Sequence, residues 1–126
     1  MTPSDIRTLI ERARQYWIDG NGAAFAELFT PNGEFLVPGK RWQGHAAIRE
    51  VTDNFASKNS DVHIDIRRII VDGDQAVVEW FWKCTADASG AYDIADDAIV
   101  VDFKDGLITR WREYIDAKTP AVQGVS

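Results

Sequence analysis

The chain has 126 residues, of which 45% are apolar, and 14 Lys plus Arg stand against 20 Asp plus Glu for a formal net charge of -6. That length is one domain, the composition suits a packed core rather than disorder, and the acidic balance offers no general footprint for nucleic acid or an anionic membrane. A single cysteine, Cys84, excludes an internal disulfide and a thiolate zinc cluster.

Met1 to Ile6 lacks a basic, then apolar leader, and no apolar run reaches the ~18 residues of a membrane span. A cytoplasmic protein is the expectation. With only His45 and His63, and no phosphate-cradling or metalloprotease motif, no metal and no cofactor are expected.

The first predicted element is a helix. Thr2, Pro3 and Asp5 form its start. Ile6, Leu9, Ile10, Ala13, Tyr16 and Trp17 recur at helical spacing, and Gly20-Asn21-Gly22 stops it. A short second helix carries Ala24, Phe25, Leu28 and Phe29 and ends before Pro31. Asn32-Gly33 reads as a turn, Glu34 to Val37 as a strand, and Arg41-Trp42-Gln43 as a further small strand. Gly44 opens a third helix with Ala47, Ile48, Val51 and Phe55 on one stripe. Four strands follow: His63 to Val71, Ala76 to Thr85, Tyr92 to Phe103 and Leu107 to Asp116, joined by Gly-containing turns. In the first of them the apolar parity switches at Arg67-Arg68, which predicts a β-bulge and a bend. Helices followed by a run of hairpins predict an α+β class. Ala117 to Ser126 reads as a flexible tail after a domain spanning 1–116.

The order α-α-β-α-β-β-β-β over roughly residues 5 to 116 resembles the SnoaL-like branch of the nuclear transport factor 2-like superfamily. The segments with the resemblance are Phe25 to Phe29, Trp42 to Arg49, Asp72 to Trp80, and Phe103 to Ile108 running into Trp111 to Asp116. The resemblance implies a cone-shaped, strongly curved antiparallel sheet packed by N-terminal helices around a pocket, and a second subunit on the outer face. It does not settle activity, since such relatives include isomerases, epoxide hydrolases, dehydratases, polyketide cyclases and non-catalytic binding domains. The acids and tyrosine of ketosteroid isomerases fall on Ala13, Val37 and Val101 here, and the Arg-x-Asp of epoxide hydrolases falls near Glu79 and Phe81. Glu113, in Trp111-Arg112-Glu113, keeps a carboxylate where epoxide hydrolases have one. Asp93 approximates the acid of polyketide cyclases, and His63 the histidine of dehydratases.

Strand faces supply a reading independent of the family. On the last strand, Leu107, Thr109, Trp111, Glu113 and Ile115 share one side, so a single carboxyl sits among apolar neighbours. Such a setting keeps a carboxyl protonated longer, as a general acid or base near neutral pH requires. On the long strand, Ala76, Val78, Trp80, Trp82 and Cys84 form a wholly apolar side, and Val77, Glu79, Phe81, Lys83 and Thr85 the other. Patterning alone puts the apolar side in the core. The resemblance instead turns Glu79 and Phe81 to the pocket and leaves Trp80 and Trp82 as anchors of a homodimer. A Glu79–Lys83 ion pair is the structural alternative. Asp97 shares parity with Ile99 and Val101 and is the pocket candidate of its acidic run.

The expectation is a small hydrophobic ligand in an apolar pocket. Glu113 would be the acid/base, Glu79 or Asp97 its partner, and Trp17, Trp42, His63, Phe81 and Trp111 would contact the ligand. A non-catalytic ligand-binding or carrier domain is the alternative, and a purely associative role through Trp80 and Trp82 a third.

Overall fold

The computed structural model describes residues 1–117, so the tail expected over 117–126 lies outside the described residues except for Ala117. Helix α1 (Pro3–Asp19) begins as its sequence suggests. Thr2 Oγ1 accepts the Asp5 N–H at 3.0 Å, and the Asp5 carboxylate accepts the Thr2 N–H at 2.9 Å. The reciprocal pair satisfies two donors that a helix start leaves open. Gly20, at φ 70°, ends α1 in the left-handed region. Ile6, Leu9, Ile10 and Ala13 form its buried stripe.

Helix α2 (Gly22–Glu27) is shorter than expected. Leu28 and Phe29 leave it because the Leu28 carbonyl accepts the Ile108 N–H at 2.8 Å, which draws the chain into the sheet. Phe29 therefore opens strand β1 (Phe29–Val37), and the expected Asn32-Gly33 turn is an irregular stretch within that strand. A Cβ on Gly33 would approach the Ile108 carbonyl to 3.0 Å, so the crossing there needs glycine.

The remaining elements are β2 (Lys40–Gln43), α3 (His45–Lys58), β3 (Asn59–Asp72), β4 (Gln75–Ala86), β5 (Tyr92–Lys104) and β6 (Leu107–Asp116). Together the strands make one curved, unclosed sheet in the order β2-β1-β6-β5-β4-β3. Neighbours run antiparallel except β1 and β6, which are parallel because the chain reaches β1 from α2 and returns to its side only at the end. The predicted bulge is present: Ile66 faces Trp80 while Arg68 faces Glu79, leaving Arg67 as the extra residue that bends β3.

Helices pack on the inner face of this sheet. Ile6 and Ile10 of α1, Phe25 of α2 and Ile48 of α3 are fully buried there with Phe29, Ile99, Ile108 and Trp111. The contact between α2 and α3 is close: a Cβ on Gly22 would lie 2.7 Å from the Arg49 carbonyl oxygen. Backbone cannot yield as a side chain can. Gly22→Ala is therefore expected to lower stability by about 1–3 kcal/mol in urea unfolding. An unchanged midpoint would show that α2 and α3 part freely.

Candidate functional site

Strand β4 decides what the site contains. Its even side is inside: Ala76, Val78, Trp80 and Cys84 are buried, and Trp82 is half-buried. This corrects the register inferred from the resemblance. The indoles of Trp80 and Trp82 bury far more apolar surface against the helices than Glu79 and Lys83 could, and a strand's register follows that difference. Glu79 instead forms an ion pair with Arg68, neither the expected pocket contact nor the Lys83 pair. Phe81 lies beneath the Arg67 guanidinium at 5.3 Å. His63 is exposed across from Lys83. None of these three lines the cavity. Trp80, only 3% exposed in a single chain, has no surface left to anchor a second subunit.

Strand β6 also departs from simple alternation. Asp102 pairs with Arg110 and Phe103 with Ile108, so Thr109 is an inserted residue. Ile108 thus turns inward on one side of the bulge, and Trp111 and Glu113 on the other.

The resulting cavity has a volume of about 240 Å³. Trp17 reaches it from α1, Phe35 and Val37 from β1, Trp42 from β2, and Val51 and Phe55 from α3. Val62, Ile64, Trp80 and Trp82 complete the apolar wall, with Ile115 at the end of β6. Two polar side chains interrupt it, Asp97 of β5 and Glu113 of β6, 3% and 7% exposed. Asp97 pairs with Ile115 and Glu113 with Ile99, so the two acids are diagonal neighbours on the same face of adjacent strands. Trp111 lies behind the wall, fully buried.

Three indoles hold the acids. Trp80 Nε1 donates to Asp97 Oδ2 at 3.2 Å and Trp82 Nε1 to Asp97 Oδ1 at 3.3 Å. Trp111 Nε1 donates to Glu113 Oε2 at 2.9 Å. The carboxyls also hydrogen-bond each other. Burial pushes the Glu113 carboxyl well above the usual carboxylate range, and the neighbouring Asp97 adds to the rise. Asp97 is raised as well, chiefly by burial, against the opposing hydrogen bonds from Glu113 and the two indoles. Two carboxyls this close do not both ionise readily, so the pair holds one proton above the usual carboxylate range.

The structure thus brings together Glu113, Asp97, Trp17 and Trp42, and keeps Trp111 as a support. Phe35, Phe55, Val62, Ile64, Trp80 and Trp82 escaped the sequence reading as wall residues. For the two tryptophans the signal was present in the plain alternation of β4. Other singled-out residues lie outside the cavity lining. His45 Nε2 is 2.7 Å from the Phe29 carbonyl, which ties α3 to β1. Asp93 is exposed on β5, away from the cavity. Cys84 Sγ donates to Asn59 Oδ1 at 3.6 Å, and burial pushes its thiol up to about 11, so it is no ready nucleophile.

Solved structures share this architecture. TsrD from Streptomyces laurentii is 18% identical with a TM-score of 0.82, over 92% of this chain and 91% of its own. An LEH-like epoxide hydrolase from M. tuberculosis is 16% identical with a TM-score of 0.80, over 97% and 92%. A protein of ketosteroid isomerase-like fold from Catenulispora acidiphila, in complex with trimethylamine, is 18% identical with a TM-score of 0.79, over 90% and 86%. At these identities the likeness is one of fold. Among curated proteins, none matches the chain. The model of the SnoaL-like domain matches residues 10–111, and the chain belongs to that family.

Proposed function

We propose that the cavity is an acid–base site for a small, largely apolar molecule, with Asp97 taking a proton and Glu113 giving one. The observation that supports this most is the buried carboxyl pair in an otherwise apolar, aromatic cavity. A group transfers protons best when its pKa lies near the working pH, and burial of the pair moves both acids in that direction. In a cycle, Asp97 takes a proton from a substrate carbon or from an attacking water, and Glu113 delivers its own to a substrate oxygen. The hydrogen bond between the acids returns the proton, so the pair ends as it began. Isomerisation, addition or loss of water, and ring closure all fit this scheme, and it needs no cofactor.

The assay is turnover of a panel of cyclic epoxides and unsaturated ketones by wild-type protein and Asp97→Asn. A loss of at least ~100-fold is expected for any substrate the wild type converts. Equal turnover by the variant defeats the assignment.

One observation favours a carrier instead. Both Asp97 oxygens already accept an indole N–H. That reading predicts saturable quenching of tryptophan fluorescence by panel members with no product formed. The acid–base reading is preferred because a carboxylate oxygen keeps further acceptor capacity beyond one hydrogen bond. A small amine also belongs among the candidates, since one neighbour of this fold was solved with trimethylamine. A cytoplasmic homodimer is part of the proposal, seated on the outer sheet face where Ile70, Val77 and Tyr114 are exposed.

A further inference from the structure

We propose that the molecule this cavity takes is a small alkylammonium ion, held by the aromatic wall and by the Asp97–Glu113 pair. The inference rests on the cavity being the ligand site and adds the charge of its occupant.

The first observation is the wall itself. Trp42 contacts Phe35 at 5.6 Å between ring centroids, Phe35 contacts Trp17 at 5.8 Å, Trp17 contacts Phe55 at 5.2 Å, and Phe55 contacts Trp82 at 6.2 Å. All five rings line the cavity. They form one continuous band, in which tilted and edge-to-face packing holds each ring in place. Aromatic rings, tryptophan best of all, attract cations through the negative face of the π-system, and cages of several rings are the usual receptors for substituted ammonium groups.

The second observation is uncompensated charge. Once either carboxyl of the pair ionises, the cavity bears a negative charge. Among the described residues no ion pair involves Asp97 or Glu113, and no lysine, arginine or histidine lines the cavity. The three indole N–H groups solvate the charge but do not neutralise it. Buried charges are ordinarily paired. A neutral hydrocarbon entering this cavity would strip the pair of water and offer nothing in return. An alkylammonium ion supplies the missing positive charge and still presents apolar surface to the rings.

Size and approach agree with this. The volume of about 240 Å³ lies below the range of pockets for drug-sized ligands, roughly 300–1,000 Å³. A second hollow shares Trp42 and Val51 with the cavity and adds Glu50 and Asn54. Its acid places further negative charge beside the site, which raises the local concentration of cations.

The test compares two molecules of the same shape by calorimetry on the wild-type protein, so it does not depend on a variant folding. The probes are (2-hydroxyethyl)trimethylammonium and its uncharged carbon isostere, 3,3-dimethylbutan-1-ol. The cation is expected to bind at least roughly tenfold more tightly. Phe55→Leu should reduce the cation's affinity more than the isostere's. Isostere binding equal to or tighter than the cation's overturns the proposal, as does no cation binding up to concentrations on the order of 10 mM. Either result leaves the acid–base reading standing if Asp97→Asn still abolishes turnover of the panel. Preferential cation binding with no turnover of any substrate would do the reverse.

Discussion

Glu113→Gln is expected to fold, to resist heat better than the wild-type protein above neutral pH, and to lose at least ~100-fold of turnover. The amide is the same size as the protonated acid. Its carbonyl can still accept the Trp111 indole proton, and its NH2 can still donate to Asp97, so the bonds now made by Glu113 are preserved. What disappears is the transferable proton.

The stability effect follows from linkage. Glu113 has its folded-state pKa raised above the unfolded value, mainly by burial, and Asp97 is raised too. Between the unfolded and folded values the native state binds more protons than the unfolded chain, so stability falls as pH rises. Their contribution is therefore fully present below the ordinary carboxylate range and is lost as pH climbs through the raised values. Asp5 works in the opposite sense, its carboxylate lowered by its bonds to Thr2, but it lies in full solvent at the chain's start. The substituted amide cannot ionise, so the variant should show a flatter dependence of Tm on pH and a higher Tm at about pH 8. Each ~1 kcal/mol gained shifts Tm by on the order of 4 °C in a domain of this size. A variant that is more stable and nearly inactive rules out unfolding as the cause of inactivity. Retention of the wild-type pH slope would show that Glu113 is not the group that binds the proton.

The pair also shows how far the sequence reaches. Asp97 and Glu113 lie 16 positions apart in the chain, and their proximity depends on the β5–β6 register. Parity alone was enough to place Asp97 with Ile99 and Val101, because β5 alternates without interruption through that stretch. On β6 the bulge at Thr109 breaks the alternation. Glu113 kept its place because the strand is regular from Trp111 onward, whereas Ile108 went unrecognised as an inward residue. The helices and hairpins were legible because caps, glycines and apolar stripes are local signals. The α2–β1 junction was not, since the bond that removes Leu28 from its helix comes from Ile108, 80 positions away. Most instructive is β4. Local patterning correctly turned Trp80 and Trp82 inward, and the register implied by the resemblance reversed it. A difference of one residue in register exchanges a strand's faces, so distant likeness is a weaker guide there than the hydrophobic pattern.

Trp111→Ala is expected to cost more stability than any other single change considered, about 3–5 kcal/mol for the lost side chain. Trp111 is fully buried on β6, between Phe35 of β1 and Val101 of β5 in the sheet. Its ring packs on Phe25 at 5.6 Å and on Trp80 at 5.5 Å, so it joins the α2 side of the core to the wall of the cavity. Phe25 in turn touches Trp17, Phe29 and Phe35, and a void at Trp111 would loosen that whole cluster. The substitution also removes the indole donor from Glu113, adding a further ~1 kcal/mol or more for a buried polar group left short of a partner. Against a usual total of about 5–15 kcal/mol, such a loss leaves the domain marginal at about 37 °C. Urea unfolding measures it directly. Trp111→Phe helps separate the two contributions: it keeps a six-membered aromatic ring in the core and removes the N–H together with part of the indole. Because the indole bond lowers the Glu113 pKa, its loss should raise that pKa further. The pH window over which Tm declines should then move upward, with a much smaller loss of stability than in the alanine variant. If Trp111→Ala lost less than ~1 kcal/mol, or if Trp111→Phe left the pH window in place, the indole would be neither the keystone of this core nor a partner of the acid.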